Sequence, residues 1–284
     1  MTLGGALQHL RAAFAEAGLE TPELDARLLL EWAAGADRLA VLASPDKKMK
    51  ASAAGKLQDA MTRRLNGEPA HRIIGRRGFY GLEFTLSPET LEPRPDTEAL
   101  VELVLKHFAA RAGQQLSVLD LGTGSGIIAI SLLAHLPNAA ATATDISSGA
   151  LAACQRNAKA NGIADRLTIV QSDWFEKVTG QFDLIVSNPP YIPSSDIFGL
   201  SRGVRDFDPL RALDGGADGL DAYRSIAAGA AAHLAGEGLV ALETGHDQRA
   251  SVTHIFENAG FALLDSARDL GERERALLFA MSGR

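Results

Sequence analysis

Val118-Leu-Asp-Leu-Gly-Thr-Gly-Ser-Gly126 couples a short apolar run to three glycines spaced one residue apart. The apolar part reads as the end of a buried strand, and the glycines as the turn that opens a helix. Glycines 122, 124 and 126 let the backbone turn tightly and approach a ligand with no Cβ in the way. Such a loop alone is a weak signal, because dinucleotide-binding folds use one too. Two details sharpen it. The spacing G-x-G-x-G lacks the third glycine position of the dinucleotide fingerprint, and an acid, Asp120, precedes the loop by two residues.

Working outward from this stretch, strands and helices alternate. Strands are predicted at Leu116–Leu121, Ala140–Asp145, Leu167–Gln171, Phe182–Ser187, Leu239–Glu243, Phe261–Asp265 and Ala276–Met281, with helices near 127–135, 148–160, 219–234 and 247–259. This is the pattern of an open α/β sheet covered on both faces. The last two strands follow one another without a helix, so they are expected to pair antiparallel. Upstream, the chain reads differently. Leu3, Leu7, Leu10 and Phe14 recur at helical spacing up to Gly18; Thr21-Pro22 reads as an N-cap with proline at the first helical position; a third stripe runs from Met49 to Leu65. Ile73-Ile74 and Phe79–Leu86, separated by Gly75-Arg-Arg-Gly78, read as a β-hairpin, and a helix is expected from about Thr97 to Phe108. The expected division is a helical domain at 1–72, a hairpin linker at 73–92 and an α/β domain at 93–284.

Composition narrows the classes. Over 284 residues, 46% hydrophobic and 22% charged residues are globular values. A net charge of -7 gives no long-range attraction to a polyanion. Cys154 is the only cysteine, so an internal disulfide is excluded, a small buried apolar role is expected for it, and no metal site is expected. Gln8, His9, Arg11 and Glu16 interrupt any leader-like apolar core, and no apolar run is long enough to span a bilayer, which leads to a cytoplasmic expectation.

The chemistry sits at strand ends. Asp145 closes the second strand, where a carboxylate can accept two hydrogen bonds from ribose hydroxyls. Asp173-Trp174 follows the third, placed to bind an adenine amine and cover its ring. The loop carries no lysine or arginine, which disfavours a phosphate-rich cofactor and suits a sulfonium, so S-adenosylmethionine is favoured over NAD, with S-adenosylhomocysteine as its product. After the fourth strand comes Ser187-Asn-Pro-Pro-Tyr191. The side-chain oxygen of Asn188 and the carbonyl of Pro189 can hold both hydrogens of an NH2 group, the prolines fix φ, and Tyr191 can stack on a flat amide or base. An amide lone pair is delocalised, and two acceptors that fit the transition state better than the planar ground state direct it at a methyl group.

These motifs, with Pro93-Arg-Pro-Asp-Thr-Glu98 and Leu213-Asp-Gly-Gly-Ala-Asp-Gly219, make the chain similar to the bacterial release-factor glutamine methyltransferase family over nearly its whole length. The resemblance implies a class I S-adenosylmethionine-dependent methyltransferase fold, Rossmann-like with seven strands. It implies methyl transfer to the N5 amide nitrogen of the glutamine in the Gly-Gly-Gln motif of class I peptide chain release factors. It implies cofactor contacts at Gly122, Thr123, Gly124, Ser125, Gly126, Asp145, Trp174 and Asn188, and substrate contacts at Asn188, Pro189, Pro190 and Tyr191, with Asn188, Pro189 and Tyr191 catalytic. Arg94, Thr97 and Glu98 match a segment near the site, where binding and bracing remain equal readings. Asp208-Pro209-Leu210-Arg211 and Glu272 depart from the family pattern, Glu272 standing where a glycine is usual.

Three rivals stay open on sequence. An adenine-N6 methyltransferase of DNA would use the same Asn-Pro-Pro-Tyr chemistry on a flipped base. The front half does hold Lys47, Lys48, Lys50, Lys56, Arg63, Arg64, Arg72, Arg76 and Arg77, yet no aromatic residues interleave among them and a solvated helix face is favoured. A ribosomal-protein glutamine is a nearer rival, and a non-catalytic module a distant one. The expectation is therefore a monomer that acts on release factors, with no nucleic-acid substrate and no membrane, whose residues 1–72 recognise the protein partner.

Overall fold

The computed structural model describes residues 1–283. The chain divides into two compact units, Met1–Arg76 with Ser201–Phe207, and Arg77–Leu200 with Asp208–Arg284.

The first unit is helical: α1 (Leu3–Glu16), α2 (Pro22–Ala34), α3 (Arg38–Ala43), α4 (Ala51–Leu65) and α5 (Ala70–Ile74), joined by the short α9 (Arg202–Arg205). Each longer helix buries one stripe. Leu3, Ala6, Leu10 and Phe14 of α1 meet Ala26, Leu29 and Leu30 of α2 and Leu57 and Ala60 of α4 in one apolar core. Thr2 caps α1 by accepting the Gly5 amide at 3.2 Å. Thr21 does not cap α2; its hydroxyl instead donates to Asp25 at 3.3 Å, and the buried Asp25 is paired with Arg64 at 2.7 Å.

The hairpin differs from the sequence reading. Ile73 and Ile74 belong to α5, which starts after Pro69 and stops at Gly75 with φ 82°, a left-handed helix cap. The paired strands are β1 (Arg76–Phe79) and β2 (Leu82–Thr85), and the turn is Tyr80-Gly81, both with positive φ (47° and 77°), the signature of a two-residue hairpin turn. Gly75-Arg-Arg-Gly78 is thus a helix stop followed by strand. The short helix α3 was also unforeseen.

The second unit holds α6 (Glu98–Phe108), β3 (Ser117–Leu121), α7 (Ile127–His135), β4 (Ala140–Asp145), α8 (Ser148–Ala160), β5 (Leu167–Gln171) and β6 (Phe182–Ser187). It continues with α10 (Asp221–His233), β7 (Leu234–Glu243), α11 (Arg249–Asn258), β8 (Phe261–Arg268) and β9 (Glu274–Met281). The seven strands of the main sheet run β5-β4-β3-β6-β7-β9-β8, parallel except for β9, which pairs antiparallel with both β7 and β8. The final antiparallel pair is as expected from sequence. That β9 lies inside β8 is a matter of topology that no strand pattern encodes.

Two apolar layers cover the sheet. Leu100, Val104, Phe108, Ile128, Leu132 and Val118 lie in one; Leu119, Ile185, Tyr223, Val240, Phe256 and Phe279 lie in the other. Strand order reverses at β3, which has β4 on one side and β6 on the other, and the crevice beyond the strand ends at such a switch point is where open α/β sheets bind ligands. No helix among the described residues is long and apolar enough to cross a membrane.

Candidate active site

The glycine loop is held from below by Asp120. This carboxyl is fully buried at the end of β3 and accepts the Thr123 hydroxyl at 2.6 Å and the Ala129 amide at 3.2 Å. Burial pushes it up to about 6, against the pull of those two bonds. Thr123 also donates its amide to the carbonyl of Thr144 at 2.8 Å, tying the loop to β4. Gly122, Gly124 and Gly126 all take positive φ, so the loop that the sequence assigned to glycine does require it.

Asp145 ends β4 and faces the loop. One carboxylate oxygen accepts the Gly124 amide at 2.9 Å and the other the Ser147 amide at 2.8 Å. Burial raises its pKa and the backbone bonds oppose the rise. Each oxygen keeps a further lone pair for a ligand hydroxyl. One cavity is lined by Gly122, Gly124, Asp145, Trp174, Asn188 and Pro190, joined by Glu89–Leu91, Ile146, Ser172, Asp173, Arg211 and Ala212. Trp174 stands in it with φ 41°, an uncommon backbone for a large residue.

Not every expected residue lines this cavity. Thr123 and Ser125 are buried within the loop, and Gly126 packs against Cys154 and Ile130, where an added Cβ would come within 2.7 Å of the cysteine sulfur. Cys154 is itself buried, which pushes its thiol up to about 12, as suits an inert core residue. Pro189 is buried, and Tyr191 packs against the second apolar layer, its hydroxyl raised to about 12 by burial.

The Asn-Pro-Pro-Tyr backbone is buttressed by Leu213–Gly219. Ile192 donates to the carbonyl of Leu213 at 3.0 Å and Gly215 to that of Ile192 at 2.9 Å. A Cβ on Gly215 would meet the carbonyl oxygen of Pro190 at 2.8 Å, so only glycine permits this approach. The Asn188 amide nitrogen donates to the Thr97 hydroxyl oxygen at 3.3 Å.

The uncertain upstream segment braces. Arg94 pairs with Asp208 at 2.6 Å, Asp208 also accepts the Glu92 amide at 3.1 Å, and Glu98 accepts the Tyr80 amide at 2.9 Å. The departing segment Asp208–Arg211 therefore contributes both a brace, Asp208, and a cation on the cavity wall, Arg211. Sequence reasoning noted a loop free of cations and did not foresee this one, supplied from elsewhere in the chain. It also passed over Glu243, a fully buried acid at the end of β7 whose charge Thr97, Arg275 and Asn188 favour against burial. An acid at a strand end was the signal already used for Asp145, and it applied here too.

The glycine loop at the switch point shares its crevice with Asp145, Trp174, Asn188 and Pro190, the arrangement of an S-adenosylmethionine-dependent methyltransferase of the Rossmann-like class I. Residues 96–198 match the family described as methyltransferase small domain, and residues 5–75 the PrmC N-terminal domain. The release factor glutamine methyltransferase of Agrobacterium fabrum is 43% identical over 281 residues, 98% of this chain and 97% of that one. That of Rhodospirillum rubrum is 46% identical over 262 residues, 92% of this chain and 80% of that one. In fold, a solved methyltransferase from Pyrococcus furiosus aligns with a TM-score of 0.54 at 20% identity, covering 79% of this chain and 99% of that one. The chain belongs to the release factor glutamine methyltransferase family.

Proposed function

We propose that this chain methylates the N5 amide nitrogen of the glutamine in the Gly-Gly-Gln motif of class I peptide chain release factors, with Asn188 and Pro189 holding the acceptor nitrogen. The observation that carries the reading is the placement of Asn188: it lines the cavity that Gly124 and Asp145 line, with its amide nitrogen turned to Thr97. That leaves its oxygen as the atom available to an incoming NH2 group.

Gly122, Gly124, Asp145 and Trp174 would hold S-adenosylmethionine, which supplies an electrophilic methyl group on sulfur. The fit rests on the donor set: a strand-end carboxylate with lone pairs to spare, backbone that approaches without side chains, and an aromatic wall. Asn188 and the Pro189 carbonyl accept the two N–H bonds of the glutamine and turn its nitrogen lone pair toward the cofactor side of the cavity. Acceptors that fit a pyramidal nitrogen better than a planar one favour the transition state over the ground state. No strong base is needed before attack: the N–H becomes acidic only once the nitrogen is alkylated, and its proton is then lost to water. Tyr191, packed in the apolar layer, anchors the loop through its backbone, whose carbonyl accepts Gln248 at 2.9 Å.

The helical unit carries no part of this chemistry. Its surface includes a groove lined by Leu7, Leu24, Val41 and Leu42 together with Arg11, Arg27, Arg38, Glu23 and Glu31, and residues 1–72 are assigned to grip the release factor. A lone glutamine offers little surface, so selecting one among many requires contacts remote from the reacting atom.

Transfer of tritiated methyl should be compared on an intact release factor, a free peptide with the same Gly-Gly-Gln sequence, a ribosomal protein and DNA. The reading expects one methyl on the glutamine of the intact factor by mass spectrometry and far slower transfer to the peptide. Equal rates on peptide and protein would remove the recognition role, and preferred transfer to DNA would overturn the substrate.

A further inference from the structure

Glu243 ends β7, beside the strand that carries Asn188, since Ser187 of β6 pairs with Leu242 of β7. Its side chain is 1% exposed, and Oε2 has no hydrogen-bond partner among the described residues. Thr97 and Asn188 lie close to this carboxyl and both favour its charge, and the Asn188 amide donates to the Thr97 hydroxyl at 3.3 Å. Thr97 is fully buried. The three side chains form one polar group beside the Asn-Pro-Pro-Tyr loop, with an open acceptor on Glu243.

An asparagine amide can turn by 180° and exchange its oxygen for its nitrogen, and only its partners decide between the two. An ionised carboxylate accepts and cannot donate, so it admits the NH2 end of Asn188 and rejects the oxygen. The oxygen must then face the cavity, where the acceptor NH2 of the substrate arrives. A protonated or neutral partner could donate to that oxygen and stabilise the turned amide, which would set NH2 against NH2.

We infer that Glu243 is a positioning residue for methyl transfer: its carboxylate, with Thr97, locks the side-chain amide of Asn188 with its oxygen toward the acceptor nitrogen. The inference rests on the reading of Asn188 as the acceptor's partner. Other charged and titratable groups face Glu243 from the elements around it. Arg275 on β9 favours its charge and Asp96 before α6 opposes it, while the hydroxyls of Tyr191 and of Tyr223 on α10 lie near. Arg275 is shared with Asp269 and Asp96, each at 3.2 Å, so it neutralises Glu243 only in part. Burial outweighs these partners and pushes the carboxyl up to about 7.

The test is the single-turnover rate of methyl transfer to an intact release factor at saturating S-adenosylmethionine, followed between about pH 5.5 and pH 9. The parent enzyme should show an acid limb in which the rate rises as Glu243 ionises. Glu243→Gln should lower the plateau on the order of 10- to 100-fold, erase that limb and leave cofactor affinity unchanged. A parental rate, an acid limb that persists in the variant, or an equal loss of cofactor affinity would each overturn the inference. Should Glu243→Gln fail to fold, Thr97→Val keeps shape and removes the hydroxyl; its rate should fall as well, and a parental rate contradicts the lock. Asn188→Ala measured in parallel separates the two layers: full activity there sinks the reading of Asn188 itself, whereas loss there with parental activity in Glu243→Gln sinks only the lock.

Discussion

Asp145 serves two partners at once. Its oxygens order the glycine loop and the start of α8 through the amides of Gly124 and Ser147, and the residue lines the cavity. The sequence placed this acid at a strand end and assigned it to ribose; its hold on the loop emerges only from the fold, because Gly124 lies 21 residues away. Asp145→Ala is therefore expected to weaken S-adenosylmethionine binding by at least the roughly 1.5–3 kcal/mol of hydrogen bonds to a charged group. Calorimetry on the folded variant checks this, and unchanged affinity would remove Asp145 from the cofactor site. Glu243 shows the limit of reading single residues. Its position at a strand end is visible in the sequence, but its role depends on β7 lying next to β6, and adjacency is not written in a hydrophobic period.

The long periodic elements were legible because burial on one face or two imposes a pattern over many residues. The short ones were not. Ile73-Ile74 is compatible with strand or helix, and the five-residue α5 was settled by Pro69 in front and the left-handed Gly75 behind. The hairpin turn escaped notice because its first residue is Tyr80, a type that seldom accepts φ of 47°. The turn between β8 and β9 shows the same strain. Glu272 takes φ 60°, while Asp269 gathers the amides of Gly271 and Arg273 at 2.8 and 3.1 Å. The left-handed region costs an L-residue about 1–2 kcal/mol, and glycine's extra freedom in the unfolded chain offsets part of any gain. Glu272→Gly should hold or raise stability by up to about 1 kcal/mol, whereas Glu272→Val should lower it, because branching at Cβ conflicts with positive φ. The urea midpoints of the three proteins decide it; a Val variant as stable as the parent would show that the turn relaxes.

In the molecule as a whole, the α/β unit brings five strand ends together, Asp173 and Trp174 following β5 among them, and the sequence disclosed four of the five. Asp120 carries the glycine loop, Asp145 closes it, and Asn188 follows β6, all within reach of one cavity or directly beneath it. The fifth, Glu243, ends β7 beside the strand that leads into Asn188. Every group assigned to cofactor or acceptor nitrogen lies beyond the helical unit, which builds its own core from Leu10, Phe14, Leu29, Leu30 and Leu57. If Asn188 holds the acceptor nitrogen, the single-turnover rate of Asn188→Ala on an intact release factor with the cofactor site saturated must fall. Loss of one preorganised transition-state contact should slow transfer by about 10²–10³-fold, some 2.7–4 kcal/mol, in a variant that still folds. A folded Asn188→Ala enzyme that transfers methyl at the parental rate would show that Asn188 does not hold the acceptor nitrogen.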